Sequence, residues 1–289
     1  MLSFLGILFD GLAFGMLLFV ISVGLSITLG LMGFNNLAHG VFAMAGGYLL
    51  VTLMGKAGIG FIAALPIVFV AVGLASLALE RTLYRPLYKS TPLDQVLLTV
   101  GIIFIAIAAA HFQFGPNPQP VDIPQSLSGQ LSLGGVDMSR YSLFLMGLGL
   151  AITLALLLGL VRTRFGARIR ASVDNQRTAA AMGIRVDLVF QITFALGSGL
   201  AALGGAIGIK VVGLDPQFAI KYLVYFLLVV VVGGPGSILG TLLASLLLGV
   251  ADITGKYYLP QAGAFIIYAA MILLLLLFPQ GLLGRRNTR

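Results

Sequence analysis

Residues 222–252 read YLVYFLLVVVVGGPGSILGTLLASLLLGVAD, with no charged residue before Asp252. A helix crosses a bilayer in about 20 apolar residues, so this run is too long for one simple span. It is also interrupted by Gly233-Gly234-Pro235-Gly236-Ser237. Proline with clustered glycine cannot continue a helix. The stretch therefore reads as two short helices meeting at a break, either a re-entrant hairpin or two abbreviated crossings.

The rest of the chain has the same character. Further apolar runs lie at about 11–31, 36–54, 60–79, 95–113, 141–161, 189–210 and 263–284. Of the 289 residues, 59% are apolar and only 9% are charged, against roughly a quarter charged in an ordinary soluble domain. Mean hydropathy is +1.08. This excludes a soluble enzyme, a nucleic-acid binder and a disordered chain, and the unbroken runs exclude an alternating β-barrel. The expected fold is all-α: a polytopic membrane protein with about eight transmembrane segments and a broken or re-entrant pair near 222–252. Residues 1–289 are expected to form one transmembrane domain. Residues 1–30 carry no basic leader or small-residue cleavage site and read as mature chain.

The net charge of +8 reflects orientation and not nucleic-acid binding. Arg81, Arg85 and Lys89 fall in 80–94, and Arg162, Arg164, Arg168, Arg170, Arg177 and Arg185 in 162–187. Arg285, Arg286 and Arg289 end the chain. The positive-inside rule places these stretches in the cytoplasm, which puts the external loop at 114–140 and the N-terminus outside.

Several chemistries are missing. The chain has no cysteine and only two histidines, so thiolate and multi-histidine metal sites are not expected within it. No phosphate-binding G-x-x-x-x-G-K-[ST] loop and no H-E-x-x-H occurs, and no catalytic set is expected. Carboxylates read as loop residues, with none deep in a run, which leaves His39 as the ionisable group expected inside the membrane.

Three features remain. Asn35, Asn36, His39 and Gly40 lie between two apolar runs, where polar groups need either protein partners or a water-filled route. They line a solute path or else form a tight turn whose asparagines cap the next helix. Gly233, Gly234 and Ser237 mark the break, which serves as a pathway element or a simple hinge. The segments around Gly40 and Gly240 share a turn followed by a small-residue helix, a weak internal repeat. In 162–187, Ser172–Gly183 reads as a short helix, with Asp174 favouring its N-terminal dipole and Gly183 as its stop. Arg170, Asp174, Arg177, Ala180, Ala181 and Gly183 would form a docking element on a cytoplasmic partner, or the loop is an orienting basic segment on anionic lipid.

The sequence resembles the membrane permease subunits of bacterial ABC importers for branched-chain amino acids. The residues that carry this are Asn36-Leu37-Ala38-His39-Gly40 with Gly46-Gly47-Tyr48, Phe114-Gly115-Pro116-Asn117-Pro118, Ala180-Ala181-Met182-Gly183-Ile184, Gly233–Ser237 with Gly240, and Phe278-Pro279-Gln280-Gly281-Leu282-Leu283-Gly284. Where the family has an acidic residue before the alanine pair, this chain has Thr178 and Ala179. The resemblance implies a second permease subunit, identical or different, and two cytoplasmic ATPase subunits that hold ATP and Mg. It also implies a periplasmic or surface-tethered binding protein, no cofactor on this chain, and a bacterial or archaeal cytoplasmic membrane. Related hydrophobic or other amino acids, urea and short amides are alternative substrates, and an ATP-independent carrier is the alternative class.

Overall fold

The computed structural model describes residues 2–34, 36–88, 90–133 and 136–283. Lys89, Arg285, Arg286 and Arg289 from the basic stretches, and Asn35 from the first polar turn, lie outside the described residues. The described chain is almost entirely helical. In order come α1 (Leu2–Met32), α2 (His39–Ala57), α3 (Phe61–Leu79) and α4 (Pro92–Phe114). The hairpin β1 (Gln130–Leu133) and β2 (Val136–Ser139) follows, then α5 (Arg140–Arg162), α6 (Arg164–Asp174) and α7 (Gln176–Ala181). The chain continues through α8 (Val186–Val212), α9 (Phe218–Lys221), α10 (Leu223–Gly233), α11 (Ile238–Tyr258) and α12 (Gly263–Leu277). In lipid a helix satisfies every backbone group within its own segment, which is why apolar runs fold this way.

Seven of these helices are long and apolar enough to span a membrane: α1, α2, α3 with its extension to Leu87, α4, α5, α8 and α11. Residues 218–233 and 265–277 form shorter apolar helices. The break at 222–252 is where the sequence places it, but its halves are unequal. The first helix ends at Gly233 and is short, whereas α11 is full length and runs six residues past Asp252 to Tyr258.

The centre is the crossing of α1 and α8. A Cβ built on Gly197 would lie 3.0 Å from the Gly24 carbonyl oxygen, and one on Gly24 would lie 2.7 Å from Gly197 Cα. Toward the start of α1, Ile21 meets Gly204 and Leu17 meets Gly208, so the two helices run antiparallel. Lipid tails are as apolar as leucine, so such contacts hold helices by close backbone packing and not by water exclusion. The other neighbours follow the same rule. Gly11 and Gly15 of α1 meet Val250 and Leu246 of α11, and Phe69 and Gly73 of α3 meet Gly199 and Ala195 of α8. Thus α11 lies antiparallel to α1 as α3 lies antiparallel to α8.

This makes α1–α4 and α8–α12 two runs of the same order and opposite direction: a long helix, an irregular link and three further helical segments. Inverted repeats of this kind are frequent in transporters. The counterpart of Gly40 at the start of α2 is Ala219 at the start of α9, and the two touch across the interface. Gly240, paired with Gly40 on sequence pattern, instead packs against Gly233.

The arginines of 80–94 and 162–187 gather at one end of the bundle. Arg85 pairs with Asp187, and Tyr88 packs edge-on to Phe190. Leu282 N–H donates to the Val232 carbonyl at 2.7 Å, which brings the end of the described chain to this same end. At the other end Tyr141 donates to the Ile207 carbonyl at 2.5 Å, Tyr48 stacks on Phe114 at 4.3 Å, and Gln119 N–H donates to the Leu214 carbonyl at 2.9 Å.

Candidate translocation and coupling sites

Helix α1 ends at Met32, and Gly33 turns the chain with φ +62°. Phe34 then packs edge-on to Tyr84 and Tyr88, at 5.5 and 5.7 Å between ring centres. Asn36 is buried, and its Oδ1 accepts a long 3.4 Å bond from Tyr84 OH. The N-cap of α2 is Ala38, with no side-chain cap bond, so the asparagine cap expected as one reading is not formed by Asn36. His39 is buried, with Nε2 2.8 Å from the Ile21 carbonyl oxygen. A carbonyl only accepts, so Nε2 donates. Ile21 lies about 16 Å back from Met32 at 1.5 Å per residue. The link after α1 therefore re-enters the bundle, where a Cβ on Gly40 would sit 2.8 Å from the Ala219 carbonyl oxygen.

The break residues form a separate unit at the basic end. Gly234 and Gly236 have φ +90° and +81°. Gly236 N–H donates to the Ser26 carbonyl at 2.9 Å, and Thr241 donates to Ser26 Oγ at 2.8 Å. Ser237 Oγ accepts from Gly240 N–H at 3.0 Å and caps α11. Gly281 closes over Gly234. The structure thus brings Gly233, Gly234 and Ser237 together against α1. Among the described residues, no hydrogen bond joins them to Asn36, His39 or Gly40. Among the described residues, Asn36, His39, Ser237 and Thr241 each have a protein partner for a side-chain polar atom, which offsets their desolvation cost.

Buried carboxylates were missed by the sequence reading. Asp252 is fully buried within α11, 2.5 Å from Lys256 Nζ one turn on and 3.5 Å from Tyr225 OH. It read as a loop residue because the apolar run ended there. Glu80 opens a single π-helical turn, Glu80–Tyr84, that continues α3. Its Oε1 accepts from Tyr88 OH at 2.7 Å, whereas the buried Oε2 has no partner. Burial, and then the bond to Glu80, push the Tyr88 phenol well above its ordinary range.

The loop 162–187 holds two helices where one was expected. Asp174 ends α6, so it stands at a C-terminus and not at the favourable N-terminal position. The cap of α7 is Asn175, whose Oδ1 accepts from Thr178 N–H at 3.0 Å. Gly183 does stop the helix: with φ +81° it donates to the Ala180 carbonyl, and Ile184 N–H donates to Ala179. These two bonds are the Schellman arrangement. Ala179 is buried, whereas Arg177, Ala180, Ala181 and Gly183 are exposed. Arg170 donates to the Leu160 carbonyl and ties α6 to α5. The amphipathic α6 was also missed, although Phe165, Ile169 and Val173 recur every four residues. Its apolar face packs on Val189 and Phe190.

Residues 7–277 match the family described as branched-chain amino acid transport system / permease component. The chain belongs to this family. The match runs from α1 to the last residue of α12, so it covers both inverted halves and the α5–α7 connection. Relatives of this branched-chain permease family align over nearly the whole length. The high-affinity branched-chain amino acid transport system permease protein LivH of Salmonella typhimurium is 29% identical, covering 98% of this chain and 96% of that protein. The corresponding BraD of Pseudomonas aeruginosa is 28% identical over 96% and 95%. The probable branched-chain amino acid transport permease protein LivH of Methanocaldococcus jannaschii is 25% identical over 96% and 92%. No solved structure matches the chain.

Proposed function

We propose that this permease is the membrane subunit of an ATP-driven importer that moves branched-chain amino acids into the cytoplasm. The observation that carries the reading is the match to the branched-chain permease family from α1 to α12. Near-full-length relatives that carry this transport in their names support it. The basic end of the bundle faces the cytoplasm under the positive-inside rule. There α7 offers a smooth exposed face of Ala180 and Ala181, ended by Gly183. With Arg170, Asp174 and Arg177 this is the surface on which one of two ATPase subunits docks. A second permease, identical or different, completes the pore, and an external binding protein delivers the solute.

The route is proposed to run beside Asn35, Asn36, His39 and Gly40 and to be bounded at the cytoplasmic end by Gly233, Gly234 and Ser237. What supports it is the convergence of irregular backbone in the interior, where α2 and the 218–233 helix begin against each other. Helix starts favour a carboxylate, and unwound carbonyls favour an ammonium, so the pair suits a zwitterion. Gly40 is a poor test residue, because any side chain there meets the Ala219 backbone. Asn36→Ala removes only one long hydrogen bond. It should lower leucine uptake several-fold in proteoliposomes with little loss of assembled complex. Equal loss of both would mean that Asn36 only packs helices.

A further inference from the structure

A cavity of about 810 Å³ opens between α3 and α5, floored by α8 and by Ile27 of α1. Its wall is apolar from Phe144 and Ile62 down to Leu156 and Leu160. From Phe144 to Leu160 the groove follows α5 for about 24 Å at 1.5 Å per residue. That exceeds the ~15 Å of hydrocarbon in one leaflet, half of ~30 Å. Its lining includes the exposed Ile62 and Leu196, so the groove opens to the bilayer, whose flexible chains can enter it.

At its basic end the groove adjoins polar groups. Thr193, buried in the groove wall, has a hydroxyl without a hydrogen-bond partner. Phe165 on α6 is shared with a second cavity of about 330 Å³, lined by Arg168, Arg185 and Gly183. Among the described residues, neither arginine is paired with a carboxylate. From the basic end inward the order is therefore two guanidinium groups, one free hydroxyl and a long apolar slot. That is the order of phosphate, ester and acyl chain in a phospholipid. Basic pockets between helices on the cytoplasmic side are known to favour acidic headgroups.

We propose that an anionic phospholipid occupies this groove, its phosphate between Arg168 and Arg185, its ester region at Thr193 and its acyl chains between α3 and α5. The proposal does not depend on the importer reading. The headgroup would sit immediately behind α7 and brace the turn at Gly183.

The test uses the full-length chain, purified with the subunits it assembles with and placed in nanodiscs. The nanodiscs contain phosphatidylcholine alone or mixed with phosphatidylglycerol. After detergent washing, retained lipid is extracted and quantified. Phosphatidylglycerol should be retained in preference to phosphatidylcholine. The double variant Arg168→Gln, Arg185→Gln should lose that retention by roughly thirtyfold, the scale of two arginine contacts at a membrane surface. Lysine at both positions should restore most of it, and Arg81→Gln, outside both cavities, should change nothing. Leu156→Trp should expel lipid by filling the groove. Retention of both lipids alike, or unchanged retention in the double glutamine variant, would overturn the proposal. So would disulfide capture of a second permease chain through Leu148→Cys, which is clean because the chain has no cysteine.

Discussion

Gly24 and Gly183 carry no side chain for different reasons. Gly24 lies mid-helix in the bundle centre, where an added methyl group would run into the backbone of Gly197. Gly183 lies at the end of α7 with open space around it, and its constraint is a φ of +81°. The first glycine serves contact between helices, and the second serves the direction of the chain. The same contrast separates α1 and α8, buried along most of their length, from the exposed α6–α7 segment. The centre is fixed by backbones that leave no room. The segment at the basic end keeps a surface free for something else.

The largest expected effect tests the centre. Gly205→Ala would drive a methyl group into the Ala43 carbonyl where α8 crosses α2. Overpacking of this kind costs about 1–3 kcal/mol or more, and here the obstruction is backbone. Recovery of assembled protein should fall sharply, as read by size-exclusion yield. Normal yield would show that the crossing has slack.

Gly183→Trp probes the other side of the comparison. A left-handed conformation costs an ordinary residue roughly 1–2 kcal/mol, and the bulk stands on the exposed face. Membrane insertion and yield should stay near normal while co-purification of the ATPase is lost. Survival of that association would reduce the segment to an orienting loop. Smaller again is Asp252→Asn. It leaves Lys256 half-exposed and able to reach water, so a loss of about 1 kcal/mol in thermal stability is expected, below the cost of stranding a fully buried charge. Smallest is Arg85→Gln, which breaks a pair with side chains 41% and 70% exposed. Exposed pairs contribute about 0–1 kcal/mol, and a shift in melting temperature near the detection limit should result.

The contrast also marks how far the sequence could be read. Apolar runs and basic clusters show a helical bundle, its break at Gly233–Ser237 and its basic end, because bilayer thickness and charge act on local composition. Which helices occupy the centre is not local. Runs α1 and α4 look alike in hydropathy, and only the partners of Gly11, Gly15 and Gly24 place α1 inside. The inverted repeat was hidden for the same reason: it lives in the antiparallel pairing of α1 with α8, and Gly40 matches Ala219, a different residue. Asp252 was misplaced because a charge looks like a helix end, whereas Lys256 one turn on lets it lie buried within α11. The stop at Gly183 was legible as backbone chemistry. The cap at Asn175 was legible too, but the reading began the helix at Ser172, three residues early.

The proposed mechanism is a fixed centre driven from outside by a separate ATPase. The most direct test reconstitutes the permease with its partner subunits and binding protein in proteoliposomes and measures leucine accumulation with ATP present or absent on the cytoplasmic side. Uptake that requires ATP, and that Gly183→Trp abolishes while assembled bundle is retained, is the result predicted. Accumulation that proceeds without ATP, driven by an ion or proton gradient, would contradict it and turn attention to Asp252 and Lys256 instead.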